Sequence, residues 1–225
     1  MKVGVIIAAG GSSSRMGQNK LLLELGGLPV IVRSVLAFDS LPEVKQIVVV
    51  TCDKDVEKLL KSYPFRHGIT FAASGANRFQ SVKNGFLALK DCDFAAIHDG
   101  ARPFVSREEI ITVFSAAEEY GAAIPAVPVK ETVKEAKDGF VFATPNRERL
   151  FSAQTPQVFG CGIYERALLL AEQDGLDGFT DDSGLVERTG TKVKICPGSY
   201  NNIKLTTPDD IARAESIAQS AGKDG

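Results

Sequence analysis

The sequence predicts an α/β fold: a mostly parallel sheet with helices on both faces, interrupted once by a projecting β-arm. Short apolar, β-branched runs alternate with amphipathic helical stretches up to about residue 127 and again after residue 150, the pattern of strands joined by crossover helices. Past residue 130 the alternation gives way to a polar stretch, ETVKEAKDGFVF, centred on Lys137-Asp138-Gly139. Asp-Gly between alternating runs marks a hairpin, and such a stretch fits a doubly wound sheet poorly. At 225 residues, 44% apolar and 24% charged, the chain suits one domain over 1–225 with a full core. The arm covers about 130–149.

Taken in order, residues 3–8 read as a buried strand, 29–38 as a helix with Val30, Val32, Val35 and Leu36 apolar, and 46–51 (QIVVVT) as a β-branched strand. Residues 53–62 form a short helix, 69–72 a strand, 78–90 a helix and 94–98 a strand. Residues 106–120 are the clearest helix, because Ser106 and Glu109 have capping-box spacing, and 122–127 is a strand. After the arm come a strand over 152–158, a helix over 162–174, a helix over 183–188, and strands over 192–196 and 202–205. The last helix opens at Thr207-Pro208-Asp209-Asp210, where Thr suits the N-cap, Pro the first turn and the acids the helix dipole.

Composition narrows the function. A net charge of −2 gives no global attraction to nucleic acid or membrane, so any anion site must be local. Cys52, Cys92, Cys161 and Cys196 form no CxxC pair and read as reduced thiols. With only His67 and His98, a histidine-rich metal centre is excluded. The first apolar run is short and followed by Arg15 and Lys20, so it reads as a first strand and not as a signal peptide. The expected location is the cytoplasm.

Three stretches could carry chemistry. From Val5 to Lys20 an apolar strand breaks into a Gly- and Ser-rich loop with two cations, Arg15 and Lys20. Small residues let main-chain N–H groups close on an anion, so this is a candidate phosphate cradle at a strand's carboxyl end. It is no P-loop, since Met16 stands where the second glycine belongs, and no Gly-x-Gly-x-x-Gly fingerprint. A second small-residue loop, 74–81 (SGANRFQS), enters a helix and offers main-chain groups and the Ser81 hydroxyl. Asp99 ends a strand just before Arg102; a carboxylate there caps a turn or holds Mg²⁺ together with phosphate oxygens and water. Thr132, Arg147, Thr155, Thr180 and Lys204 are further donors in loops or in the arm. No Ser-His-Asp or Cys-His set is evident, whereas phosphoryl or nucleotidyl transfer needs only positioning and positive charge.

Together AAGGSSSRMG…K (8–20), SGANRFQSV (74–82), HDGARPF (98–104), TPQVF (155–159), FTDDSGLVE (179–187) and NIKLTTPDD (202–210) resemble the 2-C-methyl-D-erythritol 4-phosphate cytidylyltransferases, over nearly the whole chain. The resemblance implies a Rossmann-like fold, CTP and methylerythritol phosphate as substrates, Mg²⁺, and a homodimer clasped by its β-arms. It assigns Ala8, Ala9, Gly10, Gly11, Gly75, Ala76 and Ser81 to CTP, Arg15, Lys20 and Lys204 to the phosphates, and Asp99 to the metal. Asp99, Arg102, Thr155, Thr180 and Lys204 would meet the second substrate, with Thr132 and Arg147 arriving from the partner's arm. The family often has Gly-Gly-x-x-Arg where Ser74-Gly75-Ala76-Asn77-Arg78 stands, and Asp-Ala-Ala-Arg where Asp99-Gly100-Ala101-Arg102 stands, both small-residue exchanges. The rivals are ribitol-5-phosphate cytidylyltransferase and a non-catalytic nucleotide-binding module; Arg15, Lys20, Asp99 and Lys204 together exceed what mere binding requires.

Overall fold

The computed structural model describes residues 1–10 and 19–221. The chain opens with β1 (Val3–Ala8), then a 3-10 turn (Lys20–Leu22) and a small hairpin of β2 (Glu24–Leu25) and β3 (Leu28–Pro29). Next come α1 (Val30–Asp39), β4 (Val44–Val50), α2 (Lys54–Ser62), β5 (Ile69–Ala72), α3 (Arg78–Leu87), β6 (Phe94–Asp99), α4 (Arg107–Tyr120) and β7 (Ala122–Pro128). The arm holds β8 (Glu135–Lys137) and β9 (Phe140–Ala143). Then follow β10 (Phe151–Ala153), β11 (Gln157–Gly160), α5 (Cys161–Gln173), α6 (Asp182–Glu187), β12 (Lys194–Pro197) and α7 (Pro208–Ala221).

Eight strands form the main sheet in the order β10-β7-β11-β6-β1-β4-β5, with β12 beside β7. The pairs β1–β4, β1–β6, β4–β5 and β7–β12 are parallel, while β11 runs antiparallel to β6 and β7, and β10 antiparallel to β7. Both faces are covered, which is why the central strands are near-continuous Val and Ile. Val3, Val5 and Ile7 of β1 pack with α1, α2 and α4 on one face. Ile6 packs with α3, α5 and α6 on the other. The chain runs outward from β1 to β4 and β5, then returns to β6 on β1's other side. Such a reversal leaves a crevice at the strands' carboxyl ends, where Ala8 pairs with Asp99.

Several expectations are corrected. The strand expected over 152–158 is two, because Gln154-Thr155-Pro156 breaks it: the Gln154 N–H still reaches the Pro125 carbonyl, and the Thr155–Pro156 peptide is cis. Residues 202–205 form no strand and are pinned as an irregular strap, with the Leu205 N–H on the Ala101 carbonyl at 2.9 Å. α3 ends at Leu87, ahead of the expected residue 90, where Gln46 takes over: its amide donates to the Ala88 carbonyl and accepts the Lys90 N–H. The arm's turn has Asp138 and Gly139 at φ 53° and 83°, as an Asp-Gly hairpin requires. The arm is less polar than its sequence suggested, since Phe140 and Phe142 are 78% and 73% exposed.

Candidate active site

A cavity of about 400 Å³ opens at the carboxyl ends of β1 and β6. Its floor is Ala8, Ala9 and Gly10, and its wall is the loop Gly75-Ala76-Asn77 leading into α3. Both loops are compact. A side chain on Gly10 would run into Ser74, and one on Gly75 into Gln80. Ser81 draws the second loop inward: its hydroxyl donates to the Asn77 carbonyl at 2.7 Å and accepts the Gly75 N–H at 3.0 Å. Asn77 caps α3 by accepting the Gln80 N–H. The result is a wall of main chain and small side chains that a ligand can approach closely.

Asp99 faces this cradle. Its Oδ2 lies 3.0 Å from Lys204 Nζ and 3.3 Å from Arg102 Nε, and its Oδ1 lies 4.0 Å from Arg78 Nη2. Burial works against charge on Asp99, yet Lys204, Arg78 and Arg102 hold its pKa down at about 2. It is therefore ionised at neutral pH and has no proton to give. Lys20 also lines the cavity.

The buried residues behind Asp99 fix its place. The His98 Nε2 faces the Arg102 carbonyl at 3.0 Å, so that nitrogen carries the hydrogen. Burial lowers the His98 pKa to about 4, leaving the ring neutral and Nδ1 an acceptor for the Thr155 hydroxyl at 2.9 Å. The same hydroxyl accepts the Asp99 N–H at 3.1 Å. The side-chain amide of buried Asn202 donates to the Thr155 carbonyl at 3.0 Å, and its main-chain carbonyl accepts Arg102 Nη1 at 2.7 Å. The strap that carries Lys204 is thus tied to the turn that carries Asp99 and Arg102.

A second buried network stands behind Arg78. Its Nη2 is 2.6 Å from Asp182 Oδ2, and Asp182 Oδ1 accepts the Tyr164 hydroxyl at 2.6 Å. Burial works against the guanidinium's charge, but Asp182 outweighs it and raises the Arg78 pKa. Gln157 Oε1 accepts the N–H groups of Asp182 and Ser183, and its amide donates to Asp181.

The structure gathers Ala8, Ala9, Gly10, Lys20, Gly75, Ala76, Ser81, Asp99 and Lys204 around one cavity, with Arg102 on Asp99. Gly11 and Arg15 lie outside the described residues. Thr155 is buried behind the site with its hydroxyl donating to His98 Nδ1. Thr180 is exposed on the segment before α6. Thr132 and Arg147 are exposed on the arm, where Arg147 Nη1 donates to the Lys130 carbonyl at 2.8 Å. Sequence reasoning missed Arg78, Asp182 and Tyr164 as parts of the site; the acidic pair 181–182 at a helix start was the one available signal, and acids there ordinarily serve the helix dipole.

Among the described residues no three His, Cys, Asp or Glu side chains gather as a metal site. Asp99 still suits Mg²⁺: it is ionised, lines the cavity, and its Oδ1 lies 4.0 Å from Arg78 Nη2, beyond a direct hydrogen bond. A single carboxylate supplemented by phosphate oxygens and water is the usual arrangement for that ion. Among the described residues the site offers the cations Lys20, Arg78 and Lys204 beside small-residue loops, and the Ser81 hydroxyl is engaged with Asn77 and Gly75, so the arrangement suits reactions between anions.

Comparison with known proteins agrees with this. The chain matches over residues 3–220 the family described as IspD: 2-C-methyl-D-erythritol 4-phosphate cytidylyltransferase. It is 43% identical over 225 residues to the protein of that name from Bacillus licheniformis, covering 98% of this chain and 97% of that one. It is also 43% identical over 223 residues to the one from Caldanaerobacter subterraneus subsp. tengcongensis, covering 96% and 98%. Among solved structures, the 4-diphosphocytidyl-2C-methyl-D-erythritol synthase of Anaerococcus prevotii superimposes with a TM-score of 0.85 at 32% identity, covering 97% of this chain and 96% of that one. The Thermus thermophilus 2-C-methyl-D-erythritol 4-phosphate cytidylyltransferase gives 0.80 at 30%, covering 97% and 100%. Fold and site thus define an α/β nucleotidyltransferase. The chain belongs to the 2-C-methyl-D-erythritol 4-phosphate cytidylyltransferase family.

Proposed function

We propose that the protein transfers CMP from CTP to 2-C-methyl-D-erythritol 4-phosphate, giving 4-diphosphocytidyl-2-C-methyl-D-erythritol and pyrophosphate in isoprenoid precursor synthesis. The observation that carries this is the family match over residues 3–220; the Asp99–Lys204–Arg102 cluster beside a main-chain cradle fits it. A phosphate oxygen of the acceptor attacks the α-phosphorus of CTP, a bond forms there, and the bond to the pyrophosphate oxygen breaks. That phosphate is already ionised at neutral pH, so no general base is needed. This agrees with a His98 that is buried and neutral.

In this reading Ala8, Ala9, Gly10, Gly11, Gly75, Ala76 and Ser81 hold the nucleotide. Arg15, Lys20 and Lys204 offset the repulsion between two polyanions and stabilise charge on the leaving pyrophosphate. Arg102 and Thr180 meet the acceptor, and Thr155 serves it by fixing Asp99. Mg²⁺ bound at Asp99 would neutralise phosphate charge and draw electron density from the α-phosphorus.

We further infer a homodimer. The exposed Phe140, Val141 and Phe142 of β9 support it, because three consecutive apolar side chains suit burial against a second copy. In that assembly Thr132 and Arg147 belong to the partner's site. A cytoplasmic location accords with four unpaired cysteines.

The test is pyrophosphate release with CTP, Mg²⁺ and each of two acceptors. Methylerythritol phosphate is expected to react far faster than ribitol 5-phosphate. A higher kcat/KM with ribitol 5-phosphate would overturn the acceptor, and no release with either would overturn the reaction.

A further inference from the structure

One nitrogen, Arg78 Nη2, stands between two carboxylates. It is 2.6 Å from Asp182 Oδ2 and 4.0 Å from Asp99 Oδ1. The other oxygen of Asp99 is already occupied, by Lys204 at 3.0 Å and Arg102 at 3.3 Å. Among the described residues Oδ1 is therefore the oxygen left to an incoming cation, and what decides whether it stays open is where Arg78 rests.

Asp182 is built to decide that. Its side chain is 4% exposed, and a carboxylate so buried needs a charged partner. Its second oxygen is fixed by the Tyr164 hydroxyl at 2.6 Å, and its N–H is held by Gln157 at 2.9 Å. Tyr164 cannot drift, for its ring stacks on Phe159 at 5.5 Å and meets Phe86 edge-on at 5.2 Å. We propose that Asp182, braced by Tyr164, is a positioning residue that holds Arg78 off Asp99 and so keeps Asp99 Oδ1 open to a divalent cation. This rests on the cytidylyltransferase reading above. Without the Asp182 charge, Asp99 is the nearest carboxylate to Arg78. Closing from 4.0 Å to a charge-assisted bond of ~2.8 Å takes a shift of about 1 Å. The guanidinium then sits where the metal would bind.

The test uses Mn²⁺ as probe, with a saturating non-transferable CTP analogue, and reads water-proton relaxation. Asp182→Asn is expected to weaken Mn²⁺ binding about tenfold, the weight of one like charge brought close. Tyr164→Phe, which keeps the carboxylate but loosens it, should weaken binding about threefold; it carries the test if Asp182→Asn fails to fold. Adding Arg78→Gln to Asp182→Asn removes the intruding cation and should return Mn²⁺ affinity to within about threefold of wild type. A purely structural role for Asp182 gives no such rescue. Wild-type Mn²⁺ affinity in Asp182→Asn, or a double variant as weak as the single one, overturns the proposal. Failure of the wild-type protein to take up Mn²⁺ with the analogue overturns the metal-assisted reading itself, and the proposal with it.

Discussion

His98 makes the acid side of stability predictable. Burial lowers its pKa from an ordinary 6.5 to about 4, so between these values the unfolded chain binds a proton that the folded one refuses. Stability is complete above about pH 6.5 and falls as pH drops toward 4. Asp99 adds a lower window, since its pKa is held at about 2 against an ordinary 3.8; its contribution is present above 3.8 and lost as pH falls to 2. Denaturation midpoints measured from pH 7 down to 4 should decline, and His98→Asn should flatten that decline. An unchanged slope in the variant would assign it to other groups. At Lys204 the expectation concerns rate. Lys204→Ala should lower kcat by roughly 10²–10³, the scale of one lost transition-state donor. The fold should survive, because Leu205 and Asn202 on either side keep their anchors. A folded variant with near-normal kcat would remove Lys204 from the chemistry.

Among the elements, α3 matters most to the site, because the loop that walls the cavity, Gly75-Ala76-Asn77, runs straight into its first turn. It lies close on the sheet only because Gly85 has no side chain: a Cβ there would stand 2.6 Å from Ile6 Cγ2 and 2.7 Å from Val50 Cγ2. Gly85→Ala should therefore cost about 1–3 kcal/mol, as overpacking does. By lifting the helix it should also raise the KM for CTP; a thermal melt with steady-state kinetics checks both, and an unchanged KM would show that the wall stays put. The elements were legible where local chemistry sets them. The β-branched runs gave the parallel strands, Ser106 and Glu109 do form a reciprocal capping box, and Asp138-Gly139 turns the arm. They were illegible where distant partners decide. Gln46, 42 residues away in sequence, accounts for the end of α3. His98 and Asn202, which engage the Thr155 hydroxyl and carbonyl, mark the break after Gln154, and Ala101 accounts for the strap at Leu205.

At the scale of the whole molecule, the arm with its exposed Phe140, Val141 and Phe142 is the part that a second copy would cover. If Arg147 acts in the partner's site, Arg147→Ala and Lys204→Ala dimers that exchange subunits should regain activity. About half of the dimers would be mixed, each with one intact site, giving roughly a quarter of wild-type activity. No recovery after exchange is verified by mass would sink the shared-site model. The cradle and Asp99 could be read from the sequence because each lies at a strand end with its own motif. Arg78, Asp182 and Tyr164 could not, since their union depends on α3, α5 and α6 meeting beneath the sheet, and no spacing records that. The strap has one more consequence. Its tie to the rest of the site includes a single main-chain bond, from Leu205 to Ala101, outside any ladder, whereas the amides of β1 lie between two paired strands. The Leu205 amide is thus a built-in gauge. Placed in deuterium oxide, it should exchange at the rate at which the Lys204 segment detaches, well ahead of the amides of β1, which wait for global opening. A ligand that bridges Lys204 and Asp99 should slow exchange at Leu205 more than the global unfolding rate accounts for.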